Sequence, residues 1–287
     1  MPNQYSITFL LALTFFLTAC NDEELEAPVP AFITIEDIEV VATNTNQGST
    51  SDNIKDAWVY EGNQLLGIFE LPATVPIQNT GNVNLQIGGG IFNNSLSNDR
   101  ELYPFYNLYQ LDTFLAPQQA LTVVPKVEYT QNADYDRAFS IADFDRDAGQ
   151  FERHPNSDTI FVRETQNNVF EGSGSGLAYL ESDMDFFEAR TPTFDDIPRD
   201  GRAIYLEMDY FCSHNIAVSV YTNNQQRQFS VINFRPSGRW TKAYIEMGPV
   251  FSTLFTSFNY NIAIGFTKPL GEVGFLYVDN VKLISFP

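Results

Sequence analysis

Short runs in which apolar and polar residues alternate constrain the fold of this chain more than any other feature. Ile204, Leu206 and Met208 occupy alternate positions, and the same period of two recurs at 216–220 and 260–266. Because successive side chains of a strand point to opposite faces of a sheet, this spacing predicts strands with one buried face. Clusters of Asn, Gly, Pro and Asp between the runs favour turns. The sequence therefore predicts an all-β fold.

The predicted strands fall into two groups, which indicates two tandem β-sandwich domains over residues 31–130 and 136–287. In the first domain, Ala57–Tyr60 and Leu65–Phe69 are predicted to form a hairpin, and Gly88–Gly90 to end a strand in a loop. In the second domain, about eight strands fit a two-sheet jelly roll.

A cleavable signal peptide is predicted over residues 1–19. These residues hold no Lys, Arg, Asp or Glu, and Ile7–Leu17 form an apolar run that is too short to span a bilayer as a helix. The following Leu-Thr-Ala-Cys, at Leu17–Cys20, resembles the lipobox of bacterial lipoproteins, although the usual basic residue before the apolar run is missing. The resemblance implies that Cys20 is acylated and becomes the first residue of the mature protein.

Residues 20–30 are predicted to be a tether. Cys20 is followed by the acidic stretch Asn21–Glu26 and then by Ala-Pro-Val-Pro, a composition that cannot pack a core. The acidic stretch also resembles the surface-export signal of Bacteroidota lipoproteins. The predicted location is the outer membrane, through the lipid on Cys20, with the body facing the cell exterior. Residence on the periplasmic side is the alternative.

The net charge of −20 excludes some classes of partner. With 36 acidic and 16 basic residues, the chain would repel phosphate-rich surfaces, so neither nucleic acid nor electrostatic docking on anionic lipid is expected. Once Cys20 is lipidated, Cys212 is the one remaining cysteine. We therefore expect no internal disulfide in the mature chain, and a small, buried apolar role for Cys212.

Five segments carry a family resemblance: Asp56–Pro72, Tyr103–Tyr106, Tyr205–Tyr210, Trp240–Ile245 and Tyr277–Leu283. Together they look like an uncharacterised family of Bacteroidota surface lipoproteins. In that family an immunoglobulin-like domain precedes a galactose-binding-like jelly roll of the kind found in carbohydrate-binding modules. The resemblance implies location and architecture. It implies no activity, because the family has none assigned.

The acidic cluster Asp143, Asp145 and Asp147 is the most specific metal-binding motif in the sequence. Carboxylates at a spacing of two project from one face of a strand or converge in a loop, and such oxygen ligands suit Ca²⁺. The jelly-roll resemblance implies two further ligands, Glu152 and Asp279. Asp279 also shares strand parity with apolar residues, where a carboxylate needs a cation or hydrogen-bond donors. The sequence leaves two alternatives: these residues bind a structural calcium ion, or they form a solvated or hydrogen-bonded acidic rim.

Trp240 is the candidate ligand-binding residue. Carbohydrate sites combine aromatic planes with polar side chains at the rim. Trp240 begins a strand after the loop Arg235–Arg239, and it is either a core residue or an exposed platform. Trp58 lies in an alternating strand and is expected in the core.

Catalysis is not predicted. His154 and His214 are the two histidines, Ser213 adjoins His214, and neither a Gly-x-Ser-x-Gly nor a His-Glu-x-x-His pattern occurs. A carboxylate pair for glycoside cleavage stays open, because 36 acidic residues offer many pairs. The predicted function is non-catalytic binding or adhesion to glycan or glycoprotein. The alternatives are, second, a structural subunit of an envelope complex and, third, a glycan-cleaving enzyme.

We expect the mature protein isolated from membranes to begin at Cys20 and to carry acyl chains there, because several buried chains hold a protein at a bilayer. Mass spectrometry of the native protein measures this. A Cys20→Ser variant should lack the lipid and leave the membrane fraction. An uncleaved leader or a bare Cys20 thiol would contradict the prediction.

Overall fold

The computed structural model describes residues 29–136, 138–254 and 256–287. Nearly all regular structure in these residues is strand, with one short α-helix, α1 (Gly248–Thr253), and two 3-10 turns. The all-β prediction is confirmed. The predicted leader, Cys20 and the acidic stretch behind it lie outside the described residues. Within the described ranges, no helix has the length and apolar character that a bilayer crossing requires.

The first ten strands form the N-terminal sandwich. They are β1 (Ala31–Ile35), β2 (Glu39–Val41), β3 (Asp56–Glu61), β4 (Gln64–Glu70), β5 (Ala73–Ile77), β6 (Gly81–Phe92), β7 (Arg100–Leu102), β8 (Tyr109–Leu115), β9 (Ala120–Val123) and β10 (Lys126–Glu128). One sheet has the order β5-β1-β9, and β2 pairs in parallel with β10. The other sheet has the order β4-β3-β6-β7, with β8 on the free part of β6. Apolar side chains of both sheets, such as Ile33 and Leu85, share one core.

The predicted hairpin is confirmed, because β3 and β4 are antiparallel partners joined by a turn in which Gly62 has a φ of 56°. Both strands lie in the same sheet, and β6 pairs with the other side of β3. The immunoglobulin-like character of this sandwich stays a prediction from the resemblance.

Gly88–Gly90 do not form the predicted loop. They lie inside β6 and pair with β3. A Cβ atom at Gly88 would lie 2.4 Å from the side chain of Leu102, and one at Gly90 would lie 2.5 Å from the indole nitrogen of Trp58. The glycines thus make room for side chains that lie across the strand, and Trp58 is half-buried over Gly90 instead of fully in the core.

The remaining ten strands form the C-terminal sandwich. They are β11 (Glu152–Arg153), β12 (Val162–Glu164), β13 (Ser175–Leu180), β14 (Phe186–Arg190), β15 (Ile204–Cys212), β16 (Ile216–Thr222), β17 (Arg227–Phe234), β18 (Thr241–Glu246), β19 (Tyr260–Thr267) and β20 (Gly274–Ser285). The two sheets have the orders β11-β14-β19-β16-β17 and β12-β13-β20-β15-β18. Counted from β13 to β20, these are the orders 2-7-4-5 and 1-8-3-6 of a jelly roll. The sequence prediction omits β14, whose alternating part, Phe187–Arg190, is only four residues long.

The core of the C-terminal sandwich contains the inward side chains of both sheets, including Leu206, Val218 and Ile264. Cys212 is also in this core and 1% exposed, as expected. The opposite face of β15, which carries Glu207 and Asp209, is buried as well. The alternation predicts that this polar face meets water, and that prediction is wrong, because the N-terminal sandwich packs against it.

Glu207 lies at the centre of the interface between the sandwiches. Its carboxylate is 2.8 Å from the Lys242 ammonium and 3.4 Å from the Lys282 ammonium, and all three side chains are fully buried. The hydroxyls of Tyr103 and Tyr129, from the N-terminal sandwich, donate to it at 2.6 and 2.9 Å. Burial acts to raise the pKa of Glu207, but the two lysines and the hydroxyl donors hold it at about 2.

Further polar contacts surround this centre. The Tyr205 hydroxyl donates to Glu101 at 2.9 Å, and the Tyr106 and Tyr244 hydroxyls are 3.0 Å apart. The Lys282 ammonium also donates to the Gln47 carbonyl oxygen at 2.7 Å. Buried charges need such partners, since an unpaired one is strongly destabilising. The interface therefore fixes how the two sandwiches are placed.

We expect a Glu207→Gln substitution to lower the free energy of unfolding by about 3–5 kcal/mol, because two buried ammonium groups would lose their carboxylate. Denaturant-induced unfolding measures the change. Glu39→Gln is the matched control, since Glu39 pairs with Lys126 at 3.1 Å on the surface, where ion pairs contribute little. Equal losses in the two variants would show that the buried cluster has no special role.

Candidate functional site

Half of the outer face of the sheet β12-β13-β20-β15-β18 is covered by the N-terminal sandwich, and the other half carries aromatic side chains. In the sheet register, Phe211 pairs with Tyr277, and Tyr179 pairs with Phe275. The ring centroids of Phe211 lie 5.0 Å from Phe275 and 5.8 Å from Tyr277. We call the following residues the aromatic face: Phe170, Tyr179, Phe211, Trp240, Phe275 and Tyr277.

Trp240 lies at the end of this face, directly before β18. Its ring is 6.1 Å from the ring of Tyr277 and 5.1 Å from that of Phe170, which belongs to the loop between β12 and β13. Trp240 and Phe170 are both half-buried, and Trp240 is outside the hydrophobic core of either sandwich. Of the two alternatives that the sequence leaves open, its position fits a surface platform.

A β-bulge in β20 determines which side chains reach this face. Two residues, Asn280 and Val281, lie opposite a single residue of β15, and Asn280 has a φ of 52°. The bulge reverses the alternation, so Asp279 shares a face with Tyr277, whereas Val281 and Leu283 point into the core. The expected common face of Asp279 with Phe275, Tyr277, Val281 and Leu283 is therefore confirmed for Phe275 and Tyr277 and wrong for Val281 and Leu283.

A cavity of about 300 Å³ opens beside Trp240, at the lower end of the range for small-molecule sites. The N-terminal sandwich contributes Asp52 and Asn53, from the segment before β3. The C-terminal sandwich contributes the other lining residues: Phe170, Asp209, Arg239, Trp240, Thr241 and Lys242. The cavity thus combines two aromatic rings with amide, hydroxyl, carboxylate and cationic groups.

Asp209 is held in place by neighbouring polar groups. Its Oδ2 accepts hydrogen bonds from the Ser51 hydroxyl at 2.6 Å and from the Asn280 amide at 3.0 Å. The Lys242 ammonium donates to the same Ser51 hydroxyl at 3.1 Å. Because Ser51 belongs to the N-terminal sandwich, the interface between the sandwiches also positions this carboxylate.

Asp52 lies at the rim of the cavity and is itself exposed. The surrounding protein nevertheless removes enough water to raise its pKa, and the backbone amide of Ile54 opposes that shift. Asn53 donates from its side-chain amide to the Lys242 carbonyl oxygen at 3.0 Å. These contacts hold the N-terminal wall of the cavity against β18.

Asp279 lies under the aromatic face and is fully buried. Its Oδ2 accepts from the Ser175 hydroxyl at 2.6 Å, and its Oδ1 accepts from the Asn280 backbone amide at 2.9 Å. Burial raises the pKa of Asp279 to about 7, and the Ser175 hydrogen bond opposes the shift. The Ser175 oxygen also accepts from the Phe170 amide at 2.9 Å, which links Asp279 to the loop that carries Phe170.

The predicted calcium ligands are not brought together. Asp143 and Asp147 accept hydrogen bonds from the backbone amides of Asp145 and Gly149, at 3.1 and 2.8 Å. Asp145 accepts from the amide and hydroxyl of Ser173. These carboxylates therefore order their own loop.

The other two predicted calcium ligands belong to different sheets. Glu152 is exposed on the edge strand β11, and Asp279 is buried in β20 of the opposite sheet. Across the described part of the chain, no three His, Cys, Asp or Glu side chains form a group that could hold a metal. Calcium binding stays a prediction from the sequence.

A Ser-His-Glu chain lies beside β20. The Ser213 hydroxyl is 2.8 Å from His214 Nδ1, and His214 Nε2 is 3.2 Å from Glu272. The Ser213 oxygen also accepts from the Phe275 amide at 2.8 Å, so it joins two strand ends.

Sequence reasoning found Trp240 and missed most of its neighbours. Phe170 follows no alternating run, and Asp52 and Asn53 are more than a hundred residues away from Trp240 in the chain. The alternation of Phe275 and Tyr277 at the start of β20 was the one available signal for the aromatic face.

Comparisons with known proteins give no family. No family model matches the chain, and no curated protein matches it. Three solved structures illustrate what it is similar to. Carbohydrate-binding modules of the β-sandwich superfamily, analysed for promiscuous specificity, match at 12% identity and a TM-score of 0.41 over 80% of this chain and 85% of that chain. An exo-β-agarase matches at 14% identity and a TM-score of 0.37, over 51% of this chain and 25% of that chain. A family 29 carbohydrate-binding module from Piromyces equi matches at 13% identity and a TM-score of 0.31, over 53% of this chain and 91% of that chain. Identities and scores this low assign no function.

We expect Asp279 to make the protein less stable as pH rises from about 4 to about 7. In the unfolded chain its carboxyl loses its proton near 3.8, whereas the folded protein keeps it to about 7, so folding is progressively disfavoured across this interval. Urea unfolding of the wild type and of Asp279→Asn measures the effect, and the variant should gain relative stability at neutral pH.

Asp158→Asn is the control of opposite sign for this measurement. The backbone amides of Asp185 and Phe186 lower the pKa of Asp158, so its contribution should be lost as pH falls. If the free energies of unfolding of the wild type and of Asp279→Asn changed with pH in the same way, the prediction that Asp279 is a buried, protonated carboxyl would be refuted.

Proposed function

We propose that this protein is a cell-envelope lipoprotein that binds glycan without cleaving it, through Trp240 and the cavity beside it. In this proposal Cys20 carries the lipid, and the outer membrane displays the two sandwiches to the cell exterior. The observation that carries the binding role is the Trp240–Phe170 pair with polar groups around it in one cavity.

The chemistry of the cavity supports a sugar ring. The C–H faces of a pyranose pack on aromatic rings, and its hydroxyls exchange hydrogen bonds with amide, hydroxyl and carboxylate groups at the rim. Asn53, Thr241 and Asp52 supply these three kinds of group. Side chains held by the interface need little ordering when a ligand binds, which favours affinity.

The aromatic face extends the same chemistry over the sheet. From Trp240 on the β18 side to Tyr179 on β13 it crosses four adjacent strands, a width of about 14 Å at the usual strand spacing. A ligand longer than one ring therefore has apolar surface beyond the cavity to pack on.

A second candidate function is glycoside hydrolysis. Asp52 and Asp209 line the same cavity, and burial raises the pKa of Asp52, as a general acid requires. Asp209, held by Ser51 and Asn280, would be the second carboxylate. Mass spectrometry of the glycan after incubation separates the two functions, because binding alone leaves the glycan intact and hydrolysis shortens it.

We expect Trp240→Ala to weaken glycan binding at least tenfold, a loss of about 1.4 kcal/mol, because the stacking surface is removed. A glycan array identifies ligands, and calorimetry then gives the affinity of each variant. Phe114→Ala is the matched control, since Phe114 is 62% exposed on β8, away from the cavity. Unchanged affinity in Trp240→Ala, or an array without any bound glycan, would overturn the proposal.

A further inference from the structure

A second and larger cavity, of about 460 Å³, lies at another place in the junction between the sandwiches. One wall is the segment 94–98, between β6 and β7 of the N-terminal sandwich. The opposite wall is Asn233–Pro236, where β17 runs into the loop before β18, and Tyr210 of β15 lies between the walls. Both sandwiches are needed to form it.

The lining of this cavity is polar but bears little charge. It contains the amides of Asn94, Asn98 and Asn233, and the hydroxyls of two serines. Arg235 is its one charged lining residue. Amides both donate and accept hydrogen bonds, so this lining suits a ligand that presents uncharged hydroxyl groups.

The walls of the cavity are held in place without a ligand. Asn94 accepts a hydrogen bond from the Glu246 backbone amide at 3.0 Å, and Asn93 donates to the Glu246 carboxylate at 3.0 Å. The Tyr210 ring packs 5.4 Å from that of Phe234. A site whose groups are already ordered loses less conformational entropy on binding.

This cavity and the one beside Trp240 share the connection between β17 and β18. Residues up to Pro236 line the larger cavity, and residues from Arg239 line the smaller one. Three residues of chain span at most about 11 Å, so the two linings approach within the length of a short oligosaccharide.

We infer that the larger cavity is a second subsite for the same glycan and takes an uncharged sugar ring next to the ring held at Trp240. The inference rests on the proposed function and deepens it. The ligand is then an oligosaccharide that crosses the β17–β18 connection, and affinity rises when the glycan is long enough to occupy both cavities.

Calorimetry on the purified protein tests this with a glycan found on the array, in lengths from one ring upward. We expect the wild type to gain affinity with length. In the double variant Asn98→Ala, Asn233→Ala, the affinity for the longer glycan should fall at least about tenfold. The affinity for the single ring should equal that of the wild type. Both side chains are exposed, so folding should be unaffected, and melting temperatures check this.

Asn82→Ala is the matched control, because it removes an exposed asparagine amide on β6 that lies outside both cavities. NMR titration of the unsubstituted protein provides a readout without variants. The side-chain amide signals of Asn98 and Asn233 should shift with the oligosaccharide and not with the single ring.

A double variant that keeps the full gain with length, or amide signals that do not move, would overturn the second subsite and leave the proposed function intact. Absence of binding to every glycan would overturn both. If the single ring also shifted the Asn98 and Asn233 signals as strongly as it shifts those of Trp240, that result would overturn the assignment, because the second subsite should be reached only by longer glycans.

Discussion

A carboxylate enclosed between two ammonium groups determines how this molecule is assembled. Glu207, Lys242 and Lys282 lie on the adjacent strands β15, β18 and β20 and share one outer face of the jelly roll. Fully buried charges are tolerated when partners satisfy them, and the partners here are hydroxyls of Tyr103 and Tyr129. The position of the N-terminal sandwich follows from this requirement. The aromatic half of the same face remains outside the covered area.

Much of the C-terminal sandwich could be predicted from the sequence. The period-two runs around Ile204, Ile216 and Tyr260 mark β15, β16 and β19, because each of these strands has one face in a core. β14 was missed, since it is five residues long and begins with two adjacent phenylalanines.

Other features depend on contacts that no local pattern records. Gly88–Gly90 suggest a loop when read alone, and they continue a strand because Leu102 and Trp58 occupy the space above them. The bulge at Asn280 shifts every later side chain of β20 by one face. The carboxylates of the acidic cluster around Asp145 accept hydrogen bonds from neighbouring amides and from Ser173, which the spacing of the three aspartates does not reveal. The candidate site was predictable only as far as Trp240, because its other wall, at Asp52, comes from a distant part of the chain.

The shared walls of the cavities have a consequence for how such a protein can change over time. Here Asp52 and Asn53 of one sandwich face Trp240 of the other, and Ser51 steadies Asp209 across the boundary. Transplanting the jelly roll alone would remove one wall of the cavity beside Trp240 and leave Lys242 and Lys282 facing water. Selection is therefore expected to act on the pair of sandwiches as one inheritable unit.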